Sequence, residues 1–257
     1  ISRNLGFFFK TKNKNTHSIG FFPSNILNKI KKINPDIVHL HWIGNEMISI
    51  KQISKINKPI VWTLHDMWPY CGAEHYTQDD RFKNSYQKNN RPNYEKGFDL
   101  NKWVWERKKK YWNFKINVIC TSKWQKEMAS NSILFKNQNI DLIPLPLDTE
   151  KWIPINKVAA KKMLGLEKNK KTILVGSETS HHFQRKGMDF IENIIENRLI
   201  DLNNVQILVV GKNKLKSNNL LNIKYLGYQD NEHEKLRIIY SAADLLLMPS
   251  RLESFGQ

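Results

Sequence analysis

The sequence of 257 residues predicts an α/β protein made of two successive doubly wound, Rossmann-like domains. Short apolar runs rich in β-favouring residues alternate with amphipathic helical patterns. This alternation stops at a proline-bearing connector and then restarts. We assign residues 1–150 to the first domain and 151–257 to the second. In such folds the ligand site is expected in a cleft at the carboxyl ends of the strands.

The first domain is predicted to contain four strands, at 36–42, 59–65, 116–120 and 140–144. Helices are predicted where apolar residues recur every three or four positions, at 23–33, 46–56, 100–112 and 121–129. Thr121 or Ser122 is the expected N-cap of the last of these. Segment 77–99 is polar and has no period, so it is predicted to be a long excursion over the surface that serves as a lid or binding loop.

The second domain follows the connector 142–156, which contains three prolines and therefore cannot be helical. Strands are predicted at 171–177, 205–211, 223–227 and 244–250, and the last of these is expected to be buried. Helices are predicted at about 188–198 and 232–242.

Charge and cysteine usage limit the function classes. The net charge of +17 is spread over both halves, and its densest run, RKKK at 107–110, is expected to be a solvated helix face. With Cys71 and Cys120 alone, no disulfide framework is expected, and a cytoplasmic location is predicted.

There is no secretory pattern and no apolar run long enough to span a membrane. The chain starts at Ile1 and ends within PSRLESFGQ, so we expect a fragment truncated at both ends.

The stretch VWTLHDMWPYCGAEHY, residues 61–76, is unusually rich in aromatic and titratable side chains for a turn. His65 and Asp66 follow a predicted strand, and Trp68 and Tyr76 come soon after. A surface turn does not need these groups, so the stretch predicts a ligand site.

Two histidines two residues apart, His39 and His41, share one face of their predicted strand. His39 is expected to be a hydrogen-bonded core residue. His41 is a candidate for the pocket wall.

Two stretches of the second domain carry candidate ligand-binding residues. Arg185 and Lys186 precede a predicted helix, where a diphosphate would meet both charges and backbone N–H groups, although a solvated basic helix entry is the alternative. Their surroundings do not match a P-loop, and a metal site at His181 and His182 is poorly supported. Glu253 follows a predicted strand, where it can accept sugar hydroxyls or simply complement a helix dipole.

Taken jointly, four segments resemble glycosyltransferase family 4: DIVHLHWIG, KPIVWTLHDMWPYCGAEHY, RKG and AADLLLMPSRLESFGQ. The resemblance covers residues 15–257 and is greatest to the branch that builds bacterial surface polysaccharides. It implies the GT-B fold and a retaining mechanism. It also implies that His65 contacts the donor sugar, that Lys186 neutralises the donor diphosphate, and that Glu253 is the first glutamate of an E-x7-E motif that holds the hexose.

The resemblance assigns further donor contacts as well. It implies that the backbone N–H groups of Phe255 and Gly256 approach the sugar and that Tyr228 lies near the nucleotide base. Three features depart from the family pattern. Ser177 stands where an arginine is usual, with Arg185 as a candidate substitute; the second glutamate would lie beyond residue 257; and the usual N-terminal glycine-rich loop is missing.

The function predicted on this basis is hexose transfer from a nucleoside-diphosphate sugar to a glycan or lipid-linked acceptor in cell-surface polysaccharide synthesis. We expect no cofactor and no divalent metal, because Arg185 and Lys186 supply the cations. We expect peripheral contact with the inner face of the membrane, no nucleic-acid partner, and catalysis by the complete protein but not by this fragment. The alternatives are a GT-B nucleotide-sugar epimerase and a non-catalytic binder of sugar nucleotides or nucleic acid.

Overall fold

The computed structural model describes residues 9–13, 15–177, 184–199, 201, 203–212, 215, 222–229 and 233–256. The histidines at 181 and 182 lie outside these residues. The chain divides into two compact units, one of residues 1–145 with 254–257 and one of residues 146–253.

The elements of the first unit in chain order are β1 (Phe9–Lys10), α1 (Ile26–Ile33), β2 (Val38–Leu40), α2 (Ile50–Ile53), β3 (Ile60–Thr63), α3 (Arg81–Asn84), β4 (Lys96–Gly97), α4 (Leu100–Tyr111), β5 (Asn117–Cys120), α5 (Lys123–Ser130) and β6 (Asn139–Leu142). Four of the strands form a parallel sheet with the order β2-β3-β5-β6, and β1 and β4 form a separate antiparallel pair.

Helices α2, α4 and α5 of this unit each begin at a side-chain cap, from Ser49, Asp99 and Ser122. Ser122 accepts a hydrogen bond from the backbone N–H of Gln125 and caps α5 as predicted. Helix α2 is a single turn that begins after Ser49, much shorter than the predicted 46–56. Asn45 and Glu46 adopt φ values of 55° and 62°, and this left-handed backbone delays the helix.

The core of the first unit is dominated by aromatic rings. Trp62 on β3 packs edge-on against Trp112 with ring centroids 5.4 Å apart, and Trp68 and Phe135 contact the same cluster. These side chains are almost fully buried. Large rings of this kind contribute most of the apolar burial in a small α/β unit.

Segment 77–99 is the predicted surface excursion only in part, because several of its side chains are buried. Arg81, which is 2% exposed, donates to Glu95 at 2.8 Å and to Asp79 at 3.1 Å, and Phe82 and Tyr86 are buried beside it. The guanidinium neutralises carboxylates that would otherwise repel one another, and this fixes the segment. Asp79, Glu95 and Asp99 are therefore partners of a buried cation, whereas other polar residues of the segment, such as Gln87 and Lys88, are exposed as predicted.

The elements of the second unit are α6 (Lys157–Met163), β7 (Lys171–Ser177), α7 (Met188–Glu196), β8 (Val205–Gly211), β9 (Ile223–Gly227), α8 (His233–Ala242) and β10 (Leu245–Leu247). Its strands form a parallel sheet with the order β10-β7-β8-β9. The sequence did not predict α6, which Asn156 caps.

Strand β10 is not the buried strand that its apolar run predicted. Among the described residues it pairs only with β7, and Leu245 and Leu246 are 51% and 43% exposed. A leucine run is equally compatible with a central strand and with an edge strand, so the pattern could not decide between them.

Among the described residues, no helix has both the length and the apolar character that crossing a membrane requires.

Candidate functional site

The carboxyl ends of β2 and β3 bring two predicted site histidines together. Nδ1 of His41 and Nε2 of His65 are 3.0 Å apart, a hydrogen-bond distance. The indole of Trp62 donates to the carbonyl of His41 and the hydroxyl of Tyr76 donates to the carbonyl of His65, so both backbones are held. Burial, and then the nearby His41, lower the pKa of His65. The pair is therefore fixed in place with a neutral His65 at neutral pH.

His39 is not the core residue that the sequence predicted. Its side chain lies on the exposed face of β2, where Nε2 is 2.8 Å from Oγ1 of Thr63. Its ring centroid is 4.3 Å from that of His41. Burial, followed by the charge of His41, lowers the pKa of His39.

Asp66 is turned away from its neighbour His65. Its carboxylate accepts from Nδ1 of His75 at 2.5 Å and from the backbone N–H of Trp68 at 3.0 Å, and it is 5% exposed. These bonds shape the turn within residues 61–76 that is rich in aromatic side chains, called the aromatic turn below. His41, Asp66 and Trp68 still line one small recess, together with His65 and His75.

Lys108 of α4 stabilises the aromatic turn through hydrogen bonds to its backbone. Its ammonium donates to the carbonyls of Trp68, Cys71 and Gly72 and lies 3.9 Å from the centroid of the Trp68 ring. The expectation of a fully solvated basic face at 107–110 is therefore wrong for Lys108, which is completely buried. Trp68 itself is 2% exposed, so most of its ring packs inside the protein.

The second unit joins three predicted donor residues. The ammonium of Lys186 is hydrogen-bonded to the carboxylate of Glu253, and Nη1 of Arg185 is 3.7 Å from the same oxygen. Lys186 lies after β7 and Glu253 after β10, which are adjacent parallel strands. Two cations and a carboxylate thus converge at the carboxyl edge of this sheet.

Backbone contacts between the two loops hold this cluster. The N–H of Arg251 donates to the carbonyl of Arg185 at 2.8 Å, and Nη1 of Arg185 donates to the carbonyl of Leu252 at 3.0 Å. Gly187 has a φ of 68°, and a Cβ there would collide with the carbonyl oxygen of Pro249. Only glycine allows both this backbone conformation and this approach.

The remaining predicted donor contacts are Tyr228, Phe255 and Gly256, and the first two are exposed. Tyr228 follows β9 and is 45% exposed, with the ammonium of Lys212 lying 4.8 Å from its ring centroid. Phe255 is 37% exposed, and Gly256 has a φ of 82°. The backbone of residue 177 ends β7. Whether Arg185 replaces the arginine usual at that position stays a prediction.

The profile of Glycosyltransferase Family 4 matches residues 3–151, more than half of the chain. The chain belongs to glycosyltransferase family 4. This family member is similar to the glycogen synthase of Mycoplasma mobile, with 33% identity over 112 residues that are 40% of this chain and 22% of that protein. It is 28% identical to the glycogen synthase of Thermotoga maritima over 135 residues, 50% of this chain and 26% of that protein. These matches span about a quarter of the length of the curated relatives.

Solved structures of other glycosyltransferases share the fold of this family member. Sucrose-phosphate synthase from Thermosynechococcus elongatus gives a TM-score of 0.62 at 18% identity, covering 90% of this chain and 54% of that chain. WaaG, a glycosyltransferase involved in lipopolysaccharide biosynthesis, gives 0.55 at 17%, covering 89% and 57%. Anabaena HepE in complex with UDP gives 0.55 at 14%, covering 92% and 61%. With the two parallel sheets, these similarities confirm the predicted GT-B fold class.

Two residues that shape the site were not predicted. Arg251 forms a two-pronged ion pair with Asp189 at 2.6 and 2.7 Å and lies over the ring of Phe190, which ties the Glu253 loop to α7. His75 anchors Asp66. Both residues lie within the segments that resemble the family. Asp189 is distant from Arg251 in sequence, and the bond between His75 and Asp66 depends on how the turn folds, so motif spacing does not reveal either contact.

Proposed function

We propose that this chain carries the donor-binding and catalytic residues of a retaining hexosyltransferase that uses a nucleoside-diphosphate sugar. The observation that carries the proposal is the cluster of Arg185, Lys186 and Glu253 at the carboxyl edge of the second sheet. Two cations suit a diphosphate and a carboxylate suits sugar hydroxyls. The complex of HepE with UDP, on the same fold, supports a nucleotide donor.

The proposed reaction places its charges where these groups lie. The bond between the anomeric carbon and the diphosphate oxygen breaks, and a bond from that carbon to an acceptor hydroxyl oxygen forms. The nucleoside diphosphate leaves with the bonding electron pair, and the proton of the acceptor hydroxyl passes to an oxygen of the leaving diphosphate. Lys186 and Arg185 stabilise the negative charge that develops on the leaving diphosphate. Two fixed cations provide this stabilisation without the reorganisation that water would need.

Glu253 has two states in this proposal. Without donor it is bound to Lys186. When a diphosphate takes over Lys186, the carboxylate is freed to accept hydrogen bonds from the hexose. The exchange leaves each charged group with a hydrogen-bond partner before and after binding, which limits the cost of removing it from water.

The first unit is proposed to supply His65 to the donor sugar and the pocket wall to the acceptor. Since His65 is held by His41 and Tyr76, its imidazole is preorganised. His41, Asp66, Trp68 and Tyr76 are the proposed wall residues. Tyr228, Phe255 and Gly256 are proposed donor contacts.

The biological role we propose is cell-surface polysaccharide synthesis in the cytoplasm at the inner face of the membrane, with a glycan or lipid-linked acceptor. The shared fold with WaaG supports this role. A second candidate is elongation of an intracellular glucan, because the curated relatives are glycogen synthases. The two roles predict different acceptors, a lipid-linked saccharide in the first case and a soluble α-glucan in the second.

Product analysis with a sugar-labelled nucleotide and the full-length protein tests the proposal. Transfer of label to a saccharide acceptor together with release of nucleoside diphosphate is the expected result. Label that stays in a sugar nucleotide of changed configuration would instead show an epimerase. Duplex binding that weakens steeply with salt, without any donor binding, would show a nucleic-acid binder.

A further inference from the structure

Three histidines lie on one face of the first sheet at its carboxyl edge. His39 lies within β2 and His41 directly follows it, so their side chains point to the same face. His65 lies just beyond the end of β3, the neighbouring strand. Ring centroids are 4.3 Å apart for His39 and His41 and 5.3 Å apart for His41 and His65. Among the side chains that the structure describes, this is the densest grouping of imidazoles.

The proposed transfer reaction does not require three adjacent imidazoles. We propose that this histidine cluster binds a late first-row transition-metal ion such as Zn²⁺ or Cu²⁺, with Nδ1 of His41 and Nε2 of His65 as ligands. Imidazole nitrogen is a preferred ligand of these ions. The metal would take the place of the single proton that the two nitrogens now share.

The geometry is close to what such an ion needs. Two imidazoles bound to a tetrahedral Zn²⁺ have nitrogens roughly 3.4 Å apart, given Zn–N bonds of about 2.0–2.1 Å. The observed separation is 3.0 Å, so a shift of a few tenths of an ångström admits the ion. His41 is exposed and His65 is partly exposed, so both can be reached from solvent.

The surroundings determine how many ligands the protein offers. Nε2 of His39 is bound to Oγ1 of Thr63 and becomes a third ligand only if it leaves that bond. Asp66 is not available, because its carboxylate is bound to His75 and to the backbone of Trp68. The ion therefore keeps at least one open position for water or a small ligand, as in zinc sites that are not closed by protein.

Metal binding at this place has a consequence that rests on the proposed function. His65 is the residue proposed to face the donor sugar, and a histidine that binds a metal cannot make that contact. The ion would therefore act as an inhibitor that competes with the donor.

Calorimetric titration of the chain with Zn²⁺, near neutral pH and without donor, tests the site independently of transfer. The expected result is saturable binding of one ion that weakens by an order of magnitude or more in His41→Gln and in His65→Gln. The matched control is His181→Gln/His182→Gln, which removes the other close pair of histidines in the sequence and is expected to leave this binding unchanged. Absence of saturable binding, or unchanged affinity in His41→Gln, would overturn the proposal.

A second measurement avoids reliance on folded variants. Substoichiometric Cu²⁺ broadens the NMR signals of imidazoles that bind it. Selective broadening of His41 and His65 in the unmodified chain is expected, and broadening confined to other histidines would refute the site. If metal binding at His41 and His65 is confirmed but no nucleotide sugar binds in calorimetric titrations, the proposed function is refuted and the metal site is retained.

Discussion

The ammonium of Lys186 is hydrogen-bonded to the carboxylate of Glu253, although 66 residues separate them in sequence. The two residues follow β7 and β10, which pair in parallel, so the sheet itself brings the loops together. Lys186 and Glu253 thus form an ion pair before any ligand binds. A nucleoside-diphosphate sugar can replace both partners, since its diphosphate can bind Lys186 and its hydroxyls can bind Glu253.

Replacement of Glu253 by Gln tests this exchange. The substitution removes the carboxylate that competes for Lys186, so the affinity for a bare nucleoside diphosphate is expected to rise several-fold. The affinity gained from the attached sugar is expected to fall, because an amide is a weaker acceptor for hydroxyls. Calorimetry with a nucleoside diphosphate and its sugar conjugate measures both effects. Glu196→Gln, an exposed carboxylate on α7, is the control and should change neither.

Substitution of Gly187 by Ala is expected to destabilise the second unit by about 2 kcal/mol or more, because it combines backbone strain with a collision against Pro249. Gly227→Ala is a matched control: its φ is also positive, at 70°, but nothing lies within 4 Å of the new Cβ. Urea unfolding of both variants separates strain from collision. Equal losses of stability would contradict the close packing of the two loops.

Substitution of Lys108 by Met tests the support of the aromatic turn. The change leaves the carbonyls of Trp68, Cys71 and Gly72 without their donor in a buried place, at an expected cost of about 3 kcal/mol. Thermal or urea unfolding measures it. Lys109→Met alters an exposed neighbour on the same helix and is expected to stay within about 0.5 kcal/mol of the parent.

The stability of the first unit is expected to depend on pH through Glu74. Burial raises the pKa of this carboxyl from 4.5 to about 7. Because the folded pKa lies above the unfolded one, folding favours the protonated form. The contribution is full below pH 4.5 and is lost as the pH rises to about 7, with a maximum change of order 3 kcal/mol.

Unfolding free energies of the parent and Glu74→Gln, measured across this range, check the prediction. The parent should lose stability relative to the variant as the pH rises, since Gln stays neutral. His17 acts in the opposite sense, because its pKa is lowered to about 4 and its contribution is lost as the pH falls from 6.5. A constant difference between parent and variant would show that Glu74 titrates normally.

Much of the fold could be predicted because its signals are local. The strands at 171–177, 205–211 and 223–227 have the predicted bounds, since each is a short run rich in β-favouring residues that ends at or next to a glycine. Helix α2 could not be predicted at its true length, because the spacing of apolar residues does not indicate the left-handed backbone at Asn45 and Glu46.

The candidate site could be predicted only in part, for the same physical reason. Motif spacing placed Lys186 and Glu253 at strand ends, where the sheet brings them together. Burial of Lys108 depends on three carbonyls of a distant turn, and the pairing of Arg251 with Asp189 depends on how two loops meet. Such partners are set by tertiary packing, which a single sequence does not specify.

Lys186 is proposed to bind the diphosphate of a nucleotide sugar. Calorimetric titration with UDP-, GDP- and ADP-sugars, compared between the parent chain, Lys186→Ala and the exposed control Lys162→Ala, tests this role. We expect one nucleotide class to bind the parent and the control alike, and Lys186→Ala to abolish this binding. Binding that survives Lys186→Ala unchanged, or no binding by the folded parent, would contradict it.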